Sequence, residues 1–462
     1  MTILIRKWAD FVAKKKLFER RALADLRNWA EKEGRKPLVL RGARQVGKTS
    51  LVQLFAGEFE TYLELNLERK QDAQLFEHTL SIQELYQAIL LTKQKTPKGR
   101  VLLFIDEIQA SPLAVEQLRF FYENLPEVHV IAAGSLLEVV LDQKEIAFPV
   151  GRVEMLWLKP LCFEEYLAAL GQEQVLQAYH TLPCPDYALP TLFQHFHQYT
   201  LIGGMPEIVA AYQVNGQITA LNGHYQSLLT AYLDDIPKYA RNATSRHILR
   251  HCAETAPYEA GSRINFAGFG RSDYGSREVG EALRTLERAQ LLYLLYPSTD
   301  IEIPIRPDFK KSPRLQFLDT GLLNYFVGLQ NHYFGQEDLH GFYRGLIAEH
   351  IVGQELLAQA VNPLQKLCFW VREKKQSNAE VDFVLQHGEF IIPIEVKAGT
   401  SGTLRSLHQF IDASPNAKAV RLYHGSYQMQ ESVTPSGNAY TLYNLPYFLA
   451  GKIRAYLDFW PV

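Results

Sequence analysis

The first clear element is a short apolar run, Pro37-Leu38-Val39-Leu40. An uninterrupted run of this length predicts a strand buried on both faces. After a glycine-containing turn, Ser50-Leu51-Val52-Gln53-Leu54-Phe55 continues as a helix. Tyr62-Leu63-Glu64-Leu65-Asn66 alternates like a strand, and Ile82–Thr92 has helical spacing. Val101-Leu102-Leu103-Phe104-Ile105 is again continuously apolar and ends in Asp106-Glu107. Val128–Ala133 and Val153–Leu158 complete the set of strands. Strands alternating with helices predict an α/β domain with a parallel sheet.

On either side the pattern changes. In residues 1–36 the apolar positions Leu17, Ala22, Leu23, Leu26 and Trp29 fall at helical spacing, and 11 Lys+Arg against 5 Asp+Glu give a basic outer face, read as solvated, with a nucleic-acid or partner contact as the alternative. Residues 160–241 predict helices, broken by Pro183, Pro185 and Pro190. In 242–335, Ser276 caps a helix whose Val279, Ala282, Leu283 and Leu286 form one stripe. Leu291–Tyr296 and Arg314–Leu318 then read as a hairpin. Residues 336–462 begin with an amphipathic helix over 340–358. Its buried stripe is Ile347, Ala348, Ile351, Val352 and Leu356, with Glu349 and Glu355 off its centre. Alternation in Glu380–Leu385 puts Val381, Phe383 and Leu385 on one face and Asp382 on the other, and in Ile391–Lys397 it puts Glu395 and Lys397 together. The expected domains are 1–36, 37–159, 160–241, 242–335 and 336–462.

Composition narrows the classes. With 462 residues, 47% hydrophobic and 21% charged, the chain supports sizeable cores. A net charge of -2 argues against a surface coated for non-specific DNA binding and leaves room for a local basic groove. Cys162, Cys184, Cys252 and Cys368 are scattered with no CxxC pair, which suits a reducing cytoplasm. No run is long enough to span a membrane, and charge at Arg6 and Lys7 interrupts Met1–Lys7 too early for a signal peptide. A cytoplasmic location is expected.

The turn after the first strand, Gly42-Ala43-Arg44-Gln45-Val46-Gly47-Lys48-Thr49, fits G-x-x-x-x-G-K-[ST]. Its backbone N–H groups, with Ser50 in the first helical turn, would cradle phosphates. Lys48 would reach the β- and γ-phosphates of ATP, and Thr49 would meet Mg2+. Asp106 would hold the same ion, and Glu107 would polarise the attacking water. Ser135, past the strand ending at Ala133, has the place of a γ-phosphate sensor or of a turn serine. Arg152 has that of an arginine finger or of a structural ion pair. His195-Phe196-His197 with Cys184 lacks a fourth zinc ligand at a diagnostic spacing, so aromatic packing is the better reading.

Asp382 with Glu395-Val396-Lys397 has the spacing of the PD-(D/E)XK nuclease fold. Two acids would hold Mg2+, and the lysine would orient or deprotonate a water. Glu349 matches the acid contributed by the first helix of that fold. Arg405 and Gln409 could contact phosphate or metal-bound water. Val381 stands where the motif's proline would be. The competing reading is a buried ion-pair cluster on a fold that has lost its chemistry.

Gly42–Thr49, Phe104–Gln109, Ala133–Ser135, Gly151-Arg152, Leu158–Glu165 and Gly203-Gly204-Met205-Pro206 fall in an order that resembles a family of prokaryotic AAA+-type ATPases with a C-terminal domain long described as of unknown function. Asp319-Thr320-Gly321-Leu322-Leu323 resembles a further signature of that family, expected to be a structural turn. The resemblance implies an α/β P-loop sheet, a helical lid, a winged-helix-like connector with Arg271, Arg277 and Arg284 near its recognition helix, and an α/β nuclease-like domain. The expected function is ATP- and Mg2+-dependent control of a domain that cuts or grips DNA. The alternative is an ATPase switch or protein-remodelling factor whose nuclease-like domain only binds. DNA, a protein partner and a homo-oligomer are the candidate partners; a membrane is not.

Overall fold

The five apolar runs of the first third become five parallel strands. In the computed structural model, residues 17–77, 81–134, 149, 151–332, 346–360, 364–374, 377–397, 399 and 403–459 are described. They divide into two compact units, one of residues 1–159, 234–241 and 288–290, the other of 160–233, 242–287 and 291–462.

The first unit opens with α1 (Ala22–Ala30), followed by β1 (Leu38–Arg41) and α2 (Lys48–Phe55). Next come β2 (Thr61–Asn66), α3 (Ile82–Thr92), β3 (Val101–Asp106), α4 (Pro112–Asn124), β4 (Val128–Ala133) and β5 (Glu154–Trp157). The strand order is β2-β3-β4-β1-β5, with every neighbour parallel. Strands β1, β3 and β4 are buried throughout, as their unbroken apolar runs require. Val39, Leu65, Leu103 and Ile105 meet Ile89 and Leu118 of the helices in one core. The order brings the carboxyl ends of β1 and β3 to one edge, with β4 between them. A crevice at such an edge is where open α/β sheets bind ligands.

The second unit begins with α5 (Phe163–Ala169), α6 (Leu189–Ile202), α7 (Pro206–Asn215), α8 (Asn222–Tyr239, of which Asp234 onward counts with the first unit), α9 (Ala243–Glu259) and α10 (Ser276–Arg288, whose Arg288 counts with the first unit). Strand β6 (Leu292–Leu295) pairs antiparallel with β8 (Arg314–Phe317), and β7 (Pro297–Ser298) lies between them in sequence. The chain continues through α11 (Thr320–Phe326), α12 (Leu346–Ala358), β9 (Cys368–Lys374), β10 (Ser377–His387) and β11 (Phe390–Val396). It goes on through α13 (Arg405–Ile411), β12 (Lys418–Tyr423), β13 (Gln428–Val433) and β14 (Ala439–Pro446) to a last helix, Ile453–Phe459. The sheet order is β13-β14-β12-β11-β10-β9-β7. Strands β9, β10 and β11 form an antiparallel meander, and β11 crosses through α13 to a parallel β12.

Two expectations are corrected here. The helix at 346–358 is not amphipathic: Ala348 and every residue from His350 to Leu356 are buried. Its polar side chains are inside because they are paired. Glu355 Oε1 accepts from Phe163 N at 2.9 Å and lies 2.8 Å from the Tyr199 hydroxyl. The His350 imidazole, held neutral by burial that pushes its pKa down to about 3, accepts from Phe317 N at 3.0 Å. Nor does strict alternation hold in β10. The register shifts between Val381 and Val384, and both pack in the cluster with Leu407 and Phe410 of α13. Phe383 instead approaches Gly353 of α12. A bulge of this kind re-aims side chains.

Asp319 is also more than a turn residue. Fully buried, it caps α11 through Leu322 N at 3.0 Å and accepts from Gly204 N at 2.6 Å. Gly204 O in turn accepts from Leu161 N at 2.7 Å. Phe196 and His197 pack among aromatics, with His197 Nε2 2.6 Å from the Tyr447 hydroxyl. All four cysteines are free and buried. Among the described residues no helix is long and apolar enough to cross a membrane.

A Cβ at Gly321 would run into the carbonyl of Ile202 and the amide of Gly203. Gly321→Ala is therefore expected to lower stability by roughly 3 kcal/mol or more. Gly223→Ala meets nothing within 4 Å and should change it by less than about 1 kcal/mol. Urea unfolding of the two variants checks this; equal midpoints would overturn it.

Candidate nucleotide and divalent-cation sites

The turn between β1 and α2 builds the first site. Gly47 sits at φ 94 as the residue before α2, a left-handed conformation that glycine adopts without strain. Lys48 is 7% exposed and donates from Nζ to Gly42 O and Ala43 O, both at 2.9 Å. Burial lowers its pKa to about 8; Arg44 adds to this, and Glu107 and Asp106 oppose it. An ammonium sheltered inside its own turn, with two carbonyls as stand-in partners, fits an anion that would take their place. Arg44 is held by Asp235, with Nη1 2.6 Å from Oδ2. Ala43 and Val46 are buried, and Val46 O accepts from Arg20 Nη1 at 2.9 Å. Gln45 takes φ 63, and Ser50 lies in the first turn of α2.

Thr49 Oγ1 donates to Asp106 Oδ2 at 2.8 Å. The hydroxyl at the start of α2 and the carboxylate at the end of β3 are thus brought together, a donor set suited to Mg2+. Burial raises the Asp106 pKa, and Glu107 reinforces the rise. Glu107 stands in the left-handed region (φ 52, ψ 44), which is strained for a residue with a Cβ. Its Oε2 accepts a hydrogen bond from Gln109 Nε2. Arg152 is partly exposed and pairs with Glu123 at 2.9 Å. Ser135 lies outside the described residues.

A second constellation lies where β10 and β11 meet α12. The ladder runs to Phe383 opposite Ile394, and beyond it Asp382 Oδ2 accepts from Val396 N at 2.7 Å. Lys397 Nζ pairs with Glu395 Oε1 at 2.6 Å. Glu395 Oε2 is buried and has no hydrogen-bond partner. Burial and then Asp382 push the Glu395 pKa up to about 7 and that of Glu349 to about 8; burial likewise raises Asp382. Arg314, buried on β8, reaches Glu349 Oε2 at 3.2 Å and Asp382 O at 3.2 Å and pairs with Glu380. Its guanidinium lies 4.9 Å from the Phe369 ring centroid. Among the described residues, no group of three or more His, Cys, Asp and Glu is arranged to hold a metal ion. Glu349 faces Arg314, which leaves Asp382 and Glu395 as the acids suited to a divalent ion.

The sequence singled out neither Arg314 nor Glu380, and nor did it single out Arg20 or Asp235. Glu380 carries a signal, since it stands two positions before Asp382. Arg314 carries one too, because a charged residue opens a strand whose neighbours are apolar. Asp235 and Arg20 are far from the turn in sequence and give none.

Residues 34–167 match a family model described as an AAA domain. Residues 193–333 and 344–442 match two models, each described as a domain of unknown function (DUF8612 and DUF4143). Among solved structures the chain is similar to the Walker-type ATPase of Pyrococcus abyssi, at 14% identity and a TM-score of 0.44, over 67% of this chain and 96% of that one. It is also similar to the RuvB Holliday junction branch migration motor of Thermotoga maritima (17%, 0.26, 62% and 89%) and to AMPPCP-bound DnaA of Aquifex aeolicus (13%, 0.26, 58% and 87%). No curated protein matches the chain. With the motif in place and the strand order described above, residues 34–167 form an AAA+-type P-loop domain.

Proposed function

We propose that this protein binds and hydrolyses ATP with Mg2+, and that nucleotide state governs a C-terminal domain that cuts or grips nucleic acid. The observation that carries the reading is the convergence of Lys48, Thr49 and Asp106 at the carboxyl edge of the first sheet. When bound, the nucleotide supplies the phosphoryl group to be transferred and Mg2+ the charge that neutralises it. Lys48 leaves its two carbonyls for phosphate oxygens. Thr49 and Asp106 hold the cation. Glu107 accepts a hydrogen bond from the attacking water, with Gln109 fixing the direction of its carboxylate. A homo-oligomer in which Arg152 leaves Glu123 for a neighbour's nucleotide belongs to the same reading.

For the C-terminal domain, the order α12, β9, β10, β11, α13, β12 and the placement of Asp382, Glu395 and Lys397 support a nuclease-like site. Helix α10 with the β6–β8 hairpin supports a winged helix, whose Arg271, Arg277 and Arg284 would meet DNA. A binding-only C-terminal domain is the second reading. It is favoured by the pairing of Lys397 with Glu395 and of Arg314 with Glu349, which occupies groups that cleavage would use.

The test is hydrolysis and cleavage by the purified chain. Mg2+-dependent ATP hydrolysis should fall at least about 100-fold in Lys48→Ala and in Glu107→Gln, with nucleotide binding kept in the second. Absence of hydrolysis in the wild type, with and without DNA, would sink the ATPase reading. DNA cleavage lost in Lys397→Ala supports the nuclease; intact hydrolysis with no cleavage of single-stranded, double-stranded or branched DNA supports the second reading.

Nucleotide affinity should also depend on pH. Lys48 has a pKa of about 8 in the nucleotide-free protein, and bound phosphate raises it, so binding above that pH takes up a proton. Affinity should be level below about pH 8 and weaken by roughly tenfold for each pH unit above it. Calorimetric titration from about pH 7 to about pH 9 reads this, and a flat profile would refute it.

A further inference from the structure

Strand β8 carries a cation into the acidic corner of the C-terminal sheet. Arg314 is 6% exposed, and its Nη1 and Nη2 are engaged by Glu349, Glu380 and the Asp382 carbonyl, with the Phe369 ring alongside. A guanidinium fixed by this many partners is not a mobile surface charge. It consumes the one acid that α12 brings to the corner. What remains open is specific. Glu395 gives Oε1 to Lys397, while its Oε2 is buried and has no hydrogen-bond partner. Asp382, beside it, gives Oδ2 to Val396 N. A buried carboxylate oxygen without a partner is costly, and a hard cation is the ligand that satisfies it.

We infer that this corner takes a single divalent cation between Asp382 and Glu395, and that Arg314 is the built-in counter-charge that withdraws Glu349 and Glu380 from that ion and limits the site to one. The inference rests on the nuclease-like reading above only in requiring that a divalent ion binds. Arg314 is a positioning residue. It lies in the segment matched over 193–333, whereas the acids lie in the segment matched over 344–442. The metal site is therefore complete only when both segments are folded together.

The experiment is a calorimetric titration of Mn2+ into the nucleotide-free full chain. The ions belonging to this corner are those lost in Asp382→Asn and in Glu395→Gln. The expected result is one such ion in the wild type. Glu349→Gln should keep it with affinity within about threefold, because Glu349 already faces Arg314. Arg314→Gln should bind Mn2+ at least about tenfold more tightly, or bind a second ion, because it releases Glu349 from its positive neighbour and leaves Glu380 only the 3.7 Å pair with Arg263. Arg314→Lys, which keeps the charge, should bind one ion as the wild type does. Thermal melting shows whether each variant folds; if Arg314→Gln does not, Glu349→Gln and Arg314→Lys still decide. Loss of the ion in Glu349→Gln, or two ions in the wild type, would overturn the inference while leaving the metal reading intact. Mn2+ binding that no Asp382→Asn or Glu395→Gln change removes would overturn both.

Discussion

A carboxylate with no exposed surface holds the second unit together. Asp319 accepts from the Gly204 amide with one oxygen and from the Leu322 amide with the other, so it fastens the start of α11 to the turn between α6 and α7. Gly204 O then takes the Leu161 amide just before α5. Gln354 extends the set from α12, bonding Thr320 N at 2.8 Å and the Tyr199 hydroxyl at 3.0 Å. Four segments far apart in sequence are joined through backbone groups that would otherwise be buried and unpaired. A buried network of this kind stabilises only when all of it is satisfied, and here partner after partner can be named. The close approach also explains the composition. Gly321 lies against the carbonyl of Ile202, where no side chain fits.

The first unit relies on a different constraint. A parallel sheet sends the carboxyl ends of its strands to one edge, and the order β2-β3-β4-β1-β5 puts the turn after β1 and the acids after β3 within reach of each other. The 2.8 Å contact of Thr49 with Asp106 follows from topology rather than from any local preference. Lys48 in a nearly dry turn is the counterpart: its charge is sheltered and paired only with carbonyl dipoles, an arrangement that a phosphate improves.

Much of this was legible in the chain. Unbroken apolar runs marked β1, β3 and β4, because a strand covered on both faces has no polar positions to reveal a period. The phosphate-binding turn was legible because its geometry demands glycine and lysine at fixed spacing. Leu158–Glu165, Gly203–Pro206 and Asp319–Leu323 were visible as motifs, but their common purpose was not. They meet only in three dimensions, and hydrogen bonds between segments leave no periodicity. The burial of α12 was hidden for a related reason: Glu355 lies off the centre of the apolar stripe in sequence and is inside because Phe163 N and the Tyr199 hydroxyl, distant in the chain, bond its Oε1.

The same blindness to distant partners shaped the reading of the C-terminal corner. Alternation assigns Asp382 to the face opposite Val381 and Phe383, yet the bulge in β10 separates Val381 from Phe383 and lets Asp382 take the Val396 amide in place of a ladder bond. Likeness to the nuclease fold assigned Glu349 beside Asp382 and Glu395 as a third acid. Its role is decided by Arg314, which arrives from a strand more than thirty residues upstream. Four acids brought near one another repel, and that cost, through Asp382, adds to burial in raising the pKa values of Glu349 and Glu395, while burial raises that of Asp382. A guanidinium clamped between two of them relieves it permanently, whereas a dissociable ion relieves it only when bound. The corner uses the permanent solution for Glu349 and Glu380 and leaves Glu395 Oε2 buried without a partner, so which acids are paired is decided by β8 and not by the acids themselves.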